Sequence, residues 1–243
     1  MAALTPTDIR TYVVNLPRRT DRRRRMEATI PPVLRPTFIS DWCVSFDGHE
    51  LDRATIEGAG YRLFPWRIDS DNPWWSRPLK LGEVGCTIAH WSCWVDAATQ
   101  GHEPYTLVLE DDVVLPPDFL ESLTMRLASL DGHRSDLLYL GRYPLEPDQP
   151  VMPGVVSPGY SHCTFAYLLS REVLPVLLGT RLDQAIVPVD EFLPALYIDH
   201  PRQDLRIRYP KLVTALAFDP PLVDQLPKEQ AGSDTEDSAF VDW

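Results

Sequence analysis

The sequence contains no cysteine pair at CxxC spacing and no cysteine–histidine set at zinc spacing. Its four cysteines, Cys43, Cys86, Cys93 and Cys163, are widely separated and read as buried free thiols. No apolar run approaches about 18 residues, so no membrane-spanning helix is expected. The start, Met1-Ala2-Ala3-Leu4-Thr5-Pro6, lacks an apolar core behind a basic segment and does not read as a signal peptide. The expected location is therefore cytoplasmic. No internal repeat is visible. Positive charge is short: 23 Lys and Arg face 35 Asp and Glu, for a net charge of −12. That balance argues against nucleic acid or an anionic membrane as the main partner.

What is present is an ordinary globular composition, 44% apolar and 24% charged over 243 residues. The length suits one α/β domain with a substantial core. The 24 prolines predict long irregular connections. The scarce positive charge is concentrated, with Arg18, Arg19, Arg22, Arg23, Arg24 and Arg25 crowded near the N-terminus.

The most informative stretch is Leu107-Val108-Leu109-Glu110-Asp111-Asp112-Val113. An apolar run of this kind reads as a strand of a covered parallel sheet. Its carboxylates would lie at the carboxyl end of the strand, where open α/β sheets bind ligands. Glu110 and Asp112 are two apart and share a side of an extended segment. Two hard oxygen donors on one side suit Mg²⁺ or Mn²⁺ carrying a diphosphate. An inert, solvated acidic turn is the competing reading.

Elsewhere the pattern alternates strand and helix. Ile9 to Asn15 reads as a first strand, followed by a helix that Thr20 or Asp21 can cap, with Met26 and Ile30 on its apolar side. The arginines at this helix start can meet an anion, or form a solvated face, above all Arg23, Arg24 and Arg25. Thr37-Phe38-Ile39 is a weak strand, Val44 to Gly48 a strand end with a turn, and Leu51 to Gly58 a short helix. Residues 61–81 form an irregular, aromatic-rich loop. Leu81 to Gln100 reads as a helix with Val84, Ile88, Trp91 and Val95 on one stripe. Gly82 and Gly85 in its first turn permit close approach by another segment or a ligand. His90 reads as a partly buried histidine or a site residue. A helix from Phe119 and a strand at Asp136 to Gly141 complete a β-α-β-α-β-α-β order, which predicts a parallel sheet. Residues 142–160 read as a loop or insertion, and Cys163 to Ser170 as a strand, after which Ser170 caps a helix to about Leu178. Pro188-Val189-Asp190-Glu191-Phe192-Leu193 opens a short helix, with Asp190 either an N-cap or a general base. Leu205 to Arg208 and Leu212 to Phe218 read as late strands. The tail beyond Pro220 is acidic and compositionally disordered.

Taken together, several motifs in order resemble glycosyltransferase family 25. They are Val14-Asn15-Leu16 with Arg18, Asp21 and Arg22; Asp47-Gly48; Gly82-Glu83-Val84-Gly85-Cys86 with His90 and Trp94; Leu109 to Asp112; Tyr139-Leu140-Gly141; Tyr167; Pro188 to Pro194; and Ser233-Asp234-Thr235-Glu236. The family holds bacterial lipooligosaccharide galactosyltransferases and animal procollagen galactosyltransferases. The segments Pro188 to Pro194 and Ser233 to Glu236 look most like the transferase domain of the latter.

The resemblance implies an α/β fold of GT-A type, a UDP-sugar donor (typically UDP-galactose), Mn²⁺ or Mg²⁺, and inversion at the anomeric carbon. It assigns Asn15, Leu16, Arg18, Arg22, Asp47, Gly82, Glu83, His90, Glu110, Asp111 and Asp234 to donor binding. It makes Asp112 the first metal ligand, with Glu110 the next. Asp190 or Glu191 would supply the base. The expected organisation is a tail over 1–8, a transferase domain over 9–222, and an acidic segment over 223–243 that can fold over the donor. The sequence departs from the collagen enzymes in having one domain, no evident leader or retention signal, and no histidine between Leu222 and Gly232. Asp224, Gln225 or water would then complete the metal site. The acceptor would be a saccharide, a peptide or a small natural product. Two rival functions are a non-catalytic module that binds a sugar nucleotide or a protein, and a nucleotide-sugar hydrolase.

Overall fold

A computed structural model describes residues 5–43, 46–130 and 132–242. Val44 and Ser45, which the sequence reads as part of a strand end, lie outside the described residues. The organising element is an eight-stranded sheet. Its strands are β1 (Ile9–Val14), β2 (Thr37–Phe38), β3 (Tyr105–Glu110), β5 (Leu137–Pro144), β6 (Gln149–Met152), β7 (Val155–Ser157), β8 (Ser161–Ser170) and β9 (Ala215–Phe218). Their spatial order is β2-β1-β3-β8-β5-β9-β7-β6. Two short strands, β4 (Val113–Val114) and β10 (Asp224–Gln225), pair antiparallel beside it.

The strands form because their side chains have two cores to enter. In β3, Val108 packs into one hydrophobic cluster and Leu107 and Leu109 into the other. In β1, Tyr12 and Val13 divide the same way. The first core is covered by α3 (Leu81–Gln100), α5 (Leu174–Gly179) and α6 (Val189–Ala195), the second by α1 (Thr20–Thr29) and α4 (Phe119–Ser129). The short helices α2 (Arg53–Gly58), α7 (Gln203–Arg208) and α8 (Lys228–Ala231) complete the described set. This is a mixed α/β domain consistent with the GT-A type. No helix among the described residues is long and apolar enough to cross a membrane.

Several local expectations change. The sheet is mixed rather than parallel, because β8 runs antiparallel between β3 and β5. Residues 142–160 hold no crossover helix. They continue β5 and then turn back as the β6–β7 hairpin, whose two-residue turn uses Gly154 at φ 80°. A hairpin connection reverses the chain, which a helical crossover would not. Pro150 is accommodated because β6 is the edge strand. Residues 205–208 lie in helix α7, where Leu205 is the one buried anchor and Arg206 and Arg208 occupy the last turn. The late strand starts only at Ala215. Helix α1 is capped by neither Thr20 nor Asp21: Arg19 is its N-cap and no side chain bonds there. Ser170 ends β8, and a 3-10 turn over Arg171–Val173 separates it from α5.

Helix α3 spans the expected residues, but its buried face passes through Val84, Ile88, Trp94 and Ala97. Val95 is exposed and Trp91 half-buried. Its glycines admit backbone. A Cβ on Gly85 would lie 1.9 Å from the Phe46 carbonyl oxygen. Alanine normally stabilises a helix interior relative to glycine by about 1 kcal/mol. Here Gly85→Ala is expected to destabilise by about 1–3 kcal/mol through overpacking, whereas Gly58→Ala, with nothing within 4 Å, is the neutral control. Urea unfolding of the two variants checks the sign.

Candidate active site

β3 ends at Glu110, and the next two carboxylates take different jobs. Asp111 is buried and turned toward β1. It accepts from Asn15 Nδ2 at 2.6 Å and from Arg22 at 2.7 Å. Arg25 donates to the backbone carbonyls of Asp111 at 2.6 Å and Val113 at 2.7 Å, clamping the acidic turn. Arg25 is therefore no solvated residue, unlike Arg23, which pairs with Glu27 and Asp41 on the surface. Asp112 points the other way. Gln225 donates to both its oxygens, at 3.1 and 3.2 Å. Burial and the charge of Glu110 raise its carboxyl to about 7.

Two adjoining cavities open around this turn. The smaller, about 80 Å³, is lined by Asn15, Leu16, Arg22, Gly82, Glu110, Asp111 and Asp234, among others. The larger, about 260 Å³, brings together Glu110, Asp112, Asp190, Glu191, His162 and Trp74. They share Arg22, Cys86, Glu110, Asp234 and Thr235 and so form one cleft.

Across the larger cavity, α6 presents Asp190 and Glu191 in its first turn. The N-cap is Pro188 and no side chain caps the helix, so Asp190 is not the N-cap. Asp190 is half-buried and has no hydrogen-bond or ion-pair partner among the described residues. Lost solvation raises its carboxyl to about 6, with the His162 charge opposing the shift. Glu191 is the opposite case. It is fully buried and accepts from Trp75 Nε1 at 2.9 Å, Tyr160 Oη at 3.0 Å and His200 Nε2 at 2.8 Å, with His162 Nε2 at 3.5 Å. Burial alone would raise its pKa, but hydrogen bonds from His162 and His200 outweigh it and hold the carboxylate ionised. Glu191 ties the aromatic loop over 61–81 and β8 to helix α6.

The arginines at the start of α1 are engaged by protein partners, although Arg22 also lines both cavities. Arg18 pairs with Asp47 and with Asp234, each at 2.6 Å. Arg19 pairs with Asp234 at 2.6 Å. Arg22 also donates to the carbonyls of Ala231 and Gly232, at 2.8 and 3.1 Å. The segment that composition reads as disordered is thus laid against the site. Ser238 Oγ accepts from Gly82 N at 2.8 Å, and Leu81 N donates to Ala239 O at 2.8 Å. The close approach that Gly82 permits is taken by this segment: a Cβ there would lie 2.7 Å from Thr235 Cα. Glu83 accepts from Lys80 N at 2.7 Å and from Arg77 at 3.0 Å, closing the α3 N-terminus. His90 is buried beneath Glu110, with Nε2 at 3.4 Å from Oε1.

His162, Tyr160 and His200 were not among the sequence candidates. Isolated histidines in a strand and a loop stand at no fixed spacing from Glu191, so no motif reveals them. A local irregularity marks the place in the fold: β5 shifts register against β8 between Gly141 and Tyr143, and Cys163 beside His162 has φ 60°.

An acidic turn at the carboxyl end of a strand in the α/β sheet faces, across the cleft, a carboxylate without a partner among the described residues, in a fold consistent with the GT-A type. A sequence model of glycosyltransferase family 25, described as LPS biosynthesis protein, matches residues 8–146. The chain belongs to that family. It is 33% identical over 240 residues to the human protein named inactive glycosyltransferase 25 family member 3, covering 94% of this chain and 39% of that protein. It is 32% identical over 244 residues to human procollagen galactosyltransferase 2, covering 95% and 38%. Procollagen galactosyltransferase 1 of Danio rerio is 29% identical over 244 residues, covering 95% and 39%. The chain thus spans about two-fifths of the length of these relatives.

The Arg22–Asp111 pair is nearly closed to solvent, with side chains 10% and 7% exposed. Removing one partner of such a pair strands the other charge and costs about 3–5 kcal/mol. Arg22→Leu is expected to lose about 3 kcal/mol and to speed amide exchange over 231–238. Hydrogen exchange with mass spectrometry measures the second effect.

Proposed function

We propose that the chain is an inverting, metal-dependent glycosyltransferase that moves a sugar, galactose by its relatives' names, from a UDP-sugar to an acceptor hydroxyl. The observation that supports it most is the free Asp190 carboxylate facing the same cavity as Glu110 and Asp112.

The donor set fits a divalent cation. Glu110 and Asp112 offer hard oxygens to one cleft, and the charge of Glu110 raises the Asp112 carboxyl when no cation separates them. Asp112 and Glu110 would hold Mn²⁺ or Mg²⁺, which would supply positive charge to offset that of a leaving nucleoside diphosphate. The hard-oxygen pair suits these ions better than a thiophilic metal. Gln225 holds Asp112 in place through its side-chain amide, and Asp224 is exposed at the neighbouring position.

In this reading the donor's nucleotide end occupies the smaller cavity, against Asn15, Leu16 and Asp234. Asp111 and Arg22 form part of its wall and fix it through their ion pair, and Arg18 acts from behind through Asp47 and Asp234. Asp190 accepts the proton of the acceptor hydroxyl as its oxygen bonds to the anomeric carbon. The bond from that carbon to the diphosphate oxygen breaks, and its electron pair leaves with the diphosphate. Attack from the face opposite the leaving group converts an α-linked donor to a β-linked product. Glu191 cannot serve as the base, because its oxygens are occupied by the buried donors around it.

Because the base must be ionised, transfer should fall as pH drops through about 6 and level off above it. Asp190→Asn should cost about 10²–10⁴-fold in turnover and remove that limb. Near-normal transfer by Asp190→Asn with an authentic acceptor would refute the role. The kinship with a protein named inactive makes a non-catalytic sugar-nucleotide module a second reading. Mass spectrometry of UDP-sugars incubated with small acceptors, with and without Mn²⁺, separates the readings. A glycosylated product requires the transferase, UDP release independent of acceptor requires a hydrolase, and binding without turnover requires the module.

A further inference from the structure

Behind Glu110 stands a column of buried polar groups that the proposed reaction does not use. Trp94, His90 and Tyr167 are fully buried. The Trp94 indole N–H donates to the Tyr167 hydroxyl at 3.0 Å. The same hydroxyl lies 2.7 Å from His90 Nδ1, and the two rings stack with centroids 5.7 Å apart. The other ring nitrogen, Nε2, is buried without a hydrogen-bond partner and sits 3.4 Å from Glu110 Oε1.

The chemistry of these groups gives the column a direction. An indole nitrogen only donates, and a phenol has one proton. Tyr167 accepts from Trp94, so its own proton needs an acceptor. Among the described residues, the group in reach is His90 Nδ1. A neutral imidazole has one donor and one acceptor nitrogen. Accepting at Nδ1 places its proton on Nε2, toward Glu110.

We propose that Trp94 and Tyr167 lock His90 as the Nε2–H tautomer, and that His90 is thereby a positioning residue that presents its N–H to the Glu110 carboxylate. The role deepens, and rests on, the reading of Glu110 as a cation ligand. Buried groups that hydrogen-bond a metal ligand orient it and tune its affinity. Cys86, His90 and Glu110 each bring one ligand atom within 4.8 Å of the others, which taken alone resembles a soft-metal site. The column argues otherwise. A metal on Nε2 would force the proton to Nδ1, and Tyr167 would then face two donors with its own hydrogen stranded in the core.

Two measurements test the proposal. The first is a long-range nitrogen–proton NMR spectrum of the ¹⁵N-histidine-labelled protein, assigned with His90→Gln. His90 Nε2 should be protonated and Nδ1 should be a hydrogen-bonded acceptor. In Tyr167→Phe the Nδ1 resonance should move toward that of a free acceptor. Protonation at Nδ1 in the parent protein overturns the assignment. So does Cd²⁺ binding at His90 Nε2 that Cys86→Ser abolishes. The second is Mn²⁺ affinity by electron paramagnetic resonance, without donor or acceptor. His90→Gln retains an N–H and should stay within about threefold of the parent, whereas His90→Leu should weaken binding by about tenfold or more. Equal affinities of these two variants overturn the positioning role. Absence of Mn²⁺ binding to the parent protein overturns the cation reading and the positioning role together, while the spectrum still decides the tautomer.

Discussion

The site depends on the ion pair between Arg22 and Asp111. The pair is almost closed to water, at 2.7 Å, and each member has further obligations. Asp111 also takes the Asn15 amide at the end of β1. Arg22 also binds the carbonyls that end α8. One contact therefore joins the first strand, the first helix, the acidic turn after β3 and the C-terminal segment. A charge pair in such surroundings is costly to desolvate and costlier to break. Its value here is geometric: with Asp111 neutralised behind the turn, Asp112 and Glu110 are left facing the cleft.

The same division of labour recurs across the cavity. Asp190 and Glu191 are neighbours in one helical turn, yet their surroundings separate them. Glu191 collects donors from the aromatic loop, from Tyr160 and His162 at the start of β8 and from the segment after α6, so it stays ionised and serves as a fastening. Asp190 has no such partner, and burial raises its carboxyl into the range useful for proton transfer. The two neighbouring acids thus differ: Glu191 fastens the structure, and Asp190 is left without a partner among the described residues. Arg18 and Arg19 are fastenings from the positive side. Their charges secure Asp234, which places the C-terminal segment against the smaller cavity.

These arrangements bear on a family that includes proteins named as galactosyltransferases and proteins named as inactive. The framework residues Asp111, Arg22 and Glu191 maintain the cleft whether or not transfer occurs. The proposed reaction would instead draw on Asp112, Glu110 and Asp190, of which only Asp190 lacks a hydrogen-bond or ion-pair partner among the described residues.

The sequence by itself determined the class of fold, the strand that ends in the acidic triplet, the 20-residue helix α3 and the acidic pair of α6. Those features are local: apolar runs bounded by charge, helical periodicity and turn residues report on their own neighbourhood. Glu110 and Asp112 do line the same cavity, as their two-residue spacing suggested, but Asp112 lies in the turn after β3, so strand periodicity is not what directs it. Only the tertiary structure decided the rest. Strand β8 inserts antiparallel because residues 142–160 return as a hairpin, a pairing between segments whose sequences show no mutual signal. Asp190 and Glu191 look alike in the chain and differ through Trp75, Tyr160, His162 and His200, which come from three separate segments. The acidic tail reads as disordered because composition counts its charges without the arginines that meet them. Which carboxylate is free depends on what lies opposite it in space, and that is settled by packing rather than by spacing along the chain.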